Sequence, residues 1–345
     1  MNGEAMSYWA PRAPAILAAA AIACALLIVV LRPLLKRYAM ARPNGRSSHK
    51  IPTPQGGGLA VIAATIGVSC ATLYFLPAGA AGEVQFPIIF AAIALIAGVG
   101  VLADFHPENF TTRLLLQTLA VAAVVFALPP DLRVLPFLPL PVEKFALVIG
   151  GLWFVNLVNF MDGLDWMTVA EVVPITAALG VIGLSGALPP PAIAVSLALC
   201  GATLGFAYFN RPVAKLFLGD VGSLPIGLLL GWLLILIAGN GGRAAAILLP
   251  LYYLADSTIT LFCRALTGEQ IWQGHRSHFY QRATDRGFSV IEVVARVFVL
   301  NLALSSLAVV TIVLPSRLID VAALVAGGAL VVWTLATFEH GTNAP

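Results

Sequence analysis

Charge is what this sequence has least of. Asp, Glu, Lys and Arg make up 10% of 345 residues, where a soluble globular domain carries about 25%. That scarcity excludes a soluble enzyme, a disordered chain and a nucleic-acid binder with a basic face. Cysteine is scarce too. Cys24, Cys70, Cys200 and Cys263 stand singly in apolar runs without metal-ligand spacing, which reads as packing and not as a zinc site. There is no P-loop, no G-x-G-x-x-G after a strand, no G-x-S-x-G and no H-E-x-x-H, so ATPase, dehydrogenase, serine-hydrolase and zinc-protease chemistry has no support. What is abundant is apolar: 60% hydrophobic residues and a mean hydropathy of +0.95. No soluble domain, repeat array or low-complexity tail is left over.

Eleven apolar runs follow one another near 13–31, 59–77, 86–103, 114–128, 142–158, 169–188, 192–209, 223–239, 244–263, 290–314 and 318–338. Each is apolar all round, and a chain in lipid must satisfy its own backbone as helix. The expected fold is an all-α integral membrane bundle of about eleven transmembrane helices, forming a single domain over 1–345. The first run has its basic residues after it and no clear small-residue cleavage site, so it reads as a retained span and not a signal peptide. Arg32, Lys36, Arg37, Arg42, Arg46, Lys50, Arg113, Arg211, Lys215, Arg264, Arg276, Arg282 and Arg286 fall on one side; Arg12, Arg133, Lys144, Arg243 and Arg317 fall on the other. The positive-inside rule then puts the N-terminus in the periplasm and the C-terminus in the cytoplasm. Loops near 32–58, 104–113, 159–168, 210–222 and 264–289 become cytoplasmic.

Those loops hold the unusual polar residues. A transporter would place its ionisable groups near the bilayer midplane; here Asp104, Asp162, Asp165 and Asp220 lie at helix ends, and Asp256 is the deeper exception. That placement suggests chemistry at the membrane–cytosol interface, on a soluble substrate and a lipid. Arg46, His49 and Lys50 precede Gly56, Gly57 and Gly58; the glycines would let backbone N–H groups approach a phosphate beside positive charge, or would simply serve a basic loop and its turn. Asn156 and Asn159 are three apart, as are Asp162 and Asp165. Such pairs share a face on a helix and suit a hard cation such as Mg²⁺, with a pair of helix caps as the plainer alternative. Asp220 stands between Gly219 and Gly222 at the start of a helix, where it either caps that helix or adds a carboxylate to a shared metal. His275, Arg276 and His278 lie in the longest of these loops; without a companion Cys or Glu they suit a diphosphate or nucleotide better than zinc. An interfacial basic helix against lipid headgroups is the other possibility.

In this order and on these alternate loops, the motifs resemble the polyprenyl-phosphate N-acetylhexosamine-1-phosphate transferases, the glycosyltransferase family 4 enzymes that include the phospho-MurNAc-pentapeptide transferases. The resemblance runs from about Pro43 to Phe288. Asp256 followed by Gly274 to Arg282 looks closest to the O-antigen-priming branch. The resemblance implies transfer of N-acetylhexosamine-1-phosphate from a UDP-sugar to undecaprenyl phosphate with release of UMP, priming an envelope polysaccharide of the O-antigen or LPS type. It implies a multi-pass protein of the bacterial cytoplasmic (inner) membrane using Mg²⁺, or Mn²⁺ in its place. The partners would be a UDP-N-acetylhexosamine, undecaprenyl phosphate, membrane lipid and a possible second copy as homodimer, with no nucleic acid.

By resemblance, Asp220 would be a direct Mg²⁺ ligand, joined by Asn159. Asp104, Asp162 and Asp165 would complete the catalytic carboxylates. Arg46, His49, Gly57, Asn156, Asn159, Asp256, His275, Arg276 and His278 would bind the substrates. Three positions depart from the family pattern: Ala103 stands where the second motif opens on an aspartate, Ala41 where an Asp often precedes the first-loop Pro-Asn, and Trp166 where Gly usually follows Asp165. Two other readings stand beside this one. One is a family member that binds lipid or nucleotide without turnover, suggested by Ala41 and Ala103. The other is a transporter or flippase, which would need broken helices in both halves.

Overall fold

A computed structural model of the chain describes residues 7–41, 51–75, 85–105, 110–270 and 275–342. From Ala13 onward the helices run α1 (Ala13–Tyr38), α2 (Gly58–Tyr74), α3 (Gln85–Phe105), α4 (Phe110–Ala127), α5 (Leu140–Met161), α6 (Met167–Leu184), α7 (Pro190–Ala207), α8 (Asp220–Gly239), α9 (Arg243–Leu248), α10 (Leu251–Leu266), α11 (Phe279–Asp285), α12 (Val290–Val313) and α13 (Arg317–His340). The one sheet among the described residues is a two-residue pairing of β1 (Met40–Ala41) with β2 (Thr53–Pro54), antiparallel, with Met40 opposite Pro54.

Nine of the described helices are long and apolar enough to cross a membrane: α1, α3 to α8, α12 and α13. The protein is an all-α, multi-pass membrane bundle, as its composition requires. The ninth expected span is not continuous. Pro250 sits inside that apolar run and has no N–H to return to the carbonyl four residues back, so the chain forms α9, breaks at Leu249 and Pro250, and resumes as α10. The second expected span is the 17-residue α2, about 25 Å long at the usual helical rise. Proline also sets clean starts: α5 and α7 each carry it in their first two positions, where its missing N–H costs nothing.

The helices divide into an inner and an outer set. In α8, 89% of the most apolar stretch is buried, and in α7 and α6 the shares are 78% and 72%. In α1, α4 and α13 the shares are 22%, 28% and 28%, the signature of helices with a lipid-facing side. α1 and α2 pack on α7, α3 and α5 on α8, and α12 on α6. The four cysteines are free; Cys24 and Cys200 are buried as expected, whereas Cys70 and Cys263 are exposed on the bundle's outside.

Candidate active site

Four helix ends meet at one corner of the bundle: the last turn of α3, the first of α4, the last of α5 and the first of α8. The α3 residue Asp104 accepts the backbone N–H groups of Asp220 (3.0 Å) and Val221 (3.3 Å). Two of the donors that a helix start leaves unpaired are therefore met by a carboxylate from another helix. Gly219, at φ 78°, makes the turn into α8, and a Cβ there would lie 2.5 Å from the Asp104 carboxylate. Asp104, not Asp220, caps α8.

Asp220 is thereby free to point elsewhere. Its Oδ2 lies 2.8 Å from Arg113 Nη1, and its Oδ1 accepts from Asn159 Nδ2 at 2.8 Å. Arg113 also donates to Asn159 Oδ1 at 3.0 Å, and Asn159 Nδ2 reaches Ser223 Oγ at 2.8 Å. One turn away, Asn156 donates to Gln117 Oε1 at 2.9 Å. Arg113 and Gln117 are four apart on α4, and Asn156 and Asn159 three apart on α5, so two polar rungs join the helices. Arg113 joins this corner although the expected site residues do not include it. The clue was available: an Arg with a Gln four residues on, opening an otherwise apolar run.

Asp162 follows α5 as its C-cap and is half-buried. Its Oδ1 accepts from Thr168 Oγ1 at 2.5 Å. Burial pushes the Asp162 carboxyl up to about 8; the Thr168 bond works against this, and the nearby carboxylates of Asp220, Asp104 and Asp165 add to it. The expectation that Asp162 and Asp165 share a helix face does not hold, because α5 ends at Met161 and both lie in the turn before α6. Asp165 is buried, and its Oδ2 accepts the Ala214 N–H at 2.9 Å, pinning the loop that precedes α8. Trp166 beside it takes the left-handed conformation at φ 64°, which explains why glycine is the usual residue there. Its N–H donates to Asn210 Oδ1 at 2.8 Å and its indole N–H to the Ala207 carbonyl at 2.6 Å.

Two of the three glycines do not offer their N–H groups to a phosphate. Gly57 N–H donates to Phe217 O (2.9 Å) and Gly58 N–H to Leu218 O (2.8 Å). A Cβ on Gly58 would lie 2.1 Å from Gly222 Cα. These glycines bring the starts of α2 and α8 into backbone contact, so Gly57 holds the site's frame and not a substrate. Arg46 and His49 lie outside the described residues.

The histidine loop is built differently. Asp256 of α10 is fully buried. It accepts the backbone N–H groups of Phe279 (3.0 Å) and Tyr280 (3.2 Å), the first residues of α11, and the hydroxyls of Tyr252 (3.2 Å) and Thr260 (3.3 Å). His278 Nδ1 lies 3.1 Å from Asp256 Oδ1, and the ring is only 3% exposed. Asp256 and His278 were expected to touch substrate; the structure packs them into an internal anchor for α11. Arg276 pairs with Asp285 at 2.9 Å, and His275 Nδ1 lies 2.8 Å from Ser277 Oγ. Tyr280 ties this loop to the carboxylate corner by donating to the Phe160 carbonyl at 3.0 Å.

A cleft of about 650 Å³ adjoins the Asp162–Asp165 turn, with Arg32, Lys36, Thr53, Asp165, Lys215 and Ser289 in its lining. Three cations in its wall suit an anionic guest. For a divalent metal, no three Asp, Glu, His or Cys side chains converge among the described residues. Mg²⁺ does not require that: it typically takes one or two carboxylates and completes its shell with water and substrate phosphates. The carboxylates of Asp162 and Asp220 fit this role: the acids Asp220, Asp104 and Asp165 around Asp162 favour a cation there, and a carboxylate oxygen accepting one hydrogen bond keeps a second lone pair. Asn159 Oδ1 accepts from Arg113 and its amide donates to Asp220, so its first task is to orient Asp220; the oxygen keeps a second lone pair, as the carboxylates do.

Comparison with known proteins agrees with this architecture. The model of the family described as glycosyl transferase family 4 matches residues 86–238, which carry all the carboxylates of the corner. A Bacillus subtilis protein named "Probable undecaprenyl-phosphate N-acetylglucosaminyl 1-phosphate transferase" is 29% identical over 282 residues, covering 76% of this chain and 76% of that one. The decaprenyl-phosphate N-acetylglucosaminephosphotransferase of Mycolicibacterium smegmatis is 30% identical over 301 residues, covering 75% of this chain and 72% of that one. The phospho-N-acetylmuramoyl-pentapeptide-transferase of Sulfurimonas denitrificans is 31% identical over 218 residues, covering 55% and 62%. The chain belongs to glycosyl transferase family 4, a family of multi-pass membrane sugar-phosphate transferases.

Proposed function

We propose that this protein transfers an N-acetylhexosamine-1-phosphate from a UDP-sugar to undecaprenyl phosphate. The observation that carries the reading is the meeting of Asp104, Arg113, Asn159, Asp162 and Asp220 at one corner beside a cation-lined cleft. The named activities of the relatives support it. In the reaction an oxygen of the lipid phosphate attacks the sugar-bearing phosphorus of the UDP-sugar. The bond from that phosphorus to the bridging oxygen breaks, and that oxygen leaves with UMP.

Each group at the corner has a part in this. The cleft's Arg32, Lys36 and Lys215 hold the anionic nucleotide. Arg113, 25% exposed and paired to an Asp220 that is 27% exposed, can turn a guanidinium N–H toward a phosphate oxygen where charge gathers. Asn159 keeps Asp220 oriented, and Asp104 fixes the start of α8 on which Asp220 sits. Asp220 and Asp162 would hold a Mg²⁺, which would supply neutralisation of the charge that the diphosphate develops. No strong base is needed, because a phosphomonoester has a second pKa of about 6 and is mostly dianionic near neutral pH. Alanine at position 103 is compatible with this direct route. We also place this corner on the cytoplasmic side, following the basic residues, and assign the product to priming of an O-antigen or LPS-type polysaccharide, supported by the resemblance of the last loop.

The test is UMP release by purified protein with undecaprenyl phosphate, Mg²⁺ and a panel of UDP-sugars that includes UDP-N-acetylglucosamine. Turnover with one N-acetylhexosamine is the expected result. Silence with every sugar, restored by Ala103→Asp, would overturn it in favour of a degenerate family member.

A further inference from the structure

Glu171 is an acidic residue inside a membrane-spanning helix that has no part in the site described above. Glu171, a turn inside α6, is 1% exposed, and Asn301 of α12 is fully buried beside it. Asn301 Nδ2 donates to Glu171 Oε2 at 2.6 Å and to the Ala170 carbonyl at 3.0 Å. Pro174 explains the second bond: with no N–H, it leaves the carbonyl of Ala170, four residues back, without its helical partner. Asn301 therefore fastens α6 where its own proline opens it.

A carboxyl inside a membrane helix is expensive, and an apolar pair would join α6 to α12 at lower cost. The surroundings raise that cost further. Glu171 Oε1, Asn301 Oδ1 and the Ser257 hydroxyl are all buried without a hydrogen-bond partner. Tyr253 and Ser257 lie one turn apart on α10, and Tyr253 stands within electrostatic reach of both Glu171 and Asp162. Glu171 is three residues from Thr168, on the same face of α6, and Thr168 holds the Asp162 carboxylate. A polar path thus runs from the membrane interior to the carboxylate corner.

We propose that Glu171 is a positioning residue: latched by Asn301 and flanked by Tyr253, it sets the first turn of α6 so that Thr168 keeps Asp162 aimed into the active site. This rests on the phosphotransfer reading above.

Kinetics of UMP release test it, read as kcat and KM for the UDP-sugar in Glu171→Leu, Asn301→Leu, Thr168→Val, the Glu171→Leu/Thr168→Val double variant and Glu171→Gln. The two leucine variants should lose about tenfold in kcat with KM within about twofold, as expected for a group that serves the transition state alone. Thr168→Val should cost little more on top of Glu171→Leu, because both act on one path. Glu171→Gln keeps an oxygen for Asn301 and should restore most of kcat; it also serves if the leucine variants do not fold. A lowered melting temperature with unchanged kcat would overturn the proposal and leave helix packing alone, as would losses that multiply in full. If the wild type is silent with every UDP-sugar, the phosphotransfer reading fails separately, and hydrogen exchange of the 162–168 amides still decides. Faster exchange in the leucine variants and not in Glu171→Gln supports the latch; unchanged exchange in all three overturns it.

Discussion

The carboxylate corner and the histidine loop are neighbours joined through Tyr280, and each is organised around an aspartate that sequence motifs mark equally strongly. They differ in what surrounds the acid. Asp220 keeps 27% of its side chain exposed and is matched by an Arg113 that is itself a quarter exposed. Asp256 is fully buried and accepts five hydrogen bonds from its own fold. The first arrangement can trade a protein partner for a substrate group; the second cannot without dismantling the start of α11. On the proposed reading, burial, more than residue type, separates the acid that would handle substrate from the acid that holds the frame.

The largest expected effects break this comparison directly. Asp220→Asn should lower kcat for UMP release by roughly 10²–10³-fold, the range seen when a transition-state electrostatic partner is lost, while the melting temperature in detergent moves little. Asp256→Asn should do the reverse. It replaces one carboxylate oxygen by an NH₂ that cannot accept, so one of the two backbone N–H groups at the start of α11 loses its partner and faces a donor; about 2–3 kcal/mol of stability should go, read as a fall in melting temperature. Near-normal turnover of Asp220→Asn at limiting Mg²⁺ would place Asp220 in the frame as well.

A smaller effect separates the two regions by pH. The Asp162 carboxyl titrates near 8 in the folded protein and near 3.9 in an unfolded chain. The fold therefore holds this proton more tightly than the unfolded chain does. Its contribution against stability is absent below about pH 4 and grows until about pH 8. A divalent cation competes with that proton. Mg²⁺ should raise the melting temperature more at about pH 8.5 than at about pH 6.5, and Asp162→Asn should remove most of the difference. Equal Mg²⁺ shifts at both pH values would detach the metal from Asp162. Ala103→Asp should change kcat less still, by about threefold or under, since the lipid phosphate already carries its attacking charge.

Much of the fold was legible because runs of about twenty apolar residues leave the backbone no alternative to helix. The exception is instructive: Pro250 is hidden in a run whose hydropathy is unbroken, and hydropathy does not register a missing N–H. In the site, the separated motifs around Asp104, Asn159, Asp162 and Asp220 do come together, because each marks a helix end where a polar residue is out of place in lipid. Pairings across the chain were not legible. The partners of Gly57 and Gly58 are carbonyls some 160 residues away, so an intramolecular contact looked like a phosphate cradle. Asp256 looked like a ligand for the same reason, its five donors being scattered over two helices. Glu171 escaped notice because a single acid in an apolar run carries no motif, and its meaning depends on Asn301, 130 residues later.

The smallest effect sharpens the comparison on the frame side, at Trp166. Its backbone sits at φ 64° and ψ 0°, a conformation that costs a non-glycine residue about 1 kcal/mol or somewhat more. Two hydrogen bonds and a half-buried indole hold it there. Trp166→Ala keeps the strained backbone and gives up both the indole hydrogen bond and its packing. Trp166→Gly gives up the same contacts and releases the strain, at a small entropic cost in the unfolded chain. The alanine variant should therefore be the less stable of the two, by about 1 kcal/mol, and both should fall below the wild type because the indole bond and contact area outweigh the strain. Neither should alter KM for the UDP-sugar, since Asp165 lines the cleft and the Trp166 side chain does not. Thermal melts of the three proteins in one detergent, with KM measured on each, decide the matter. A glycine variant more stable than the wild type would show the tryptophan to be net strain, and a raised KM in both variants would show that Trp166 sets the shape of the adjoining cleft.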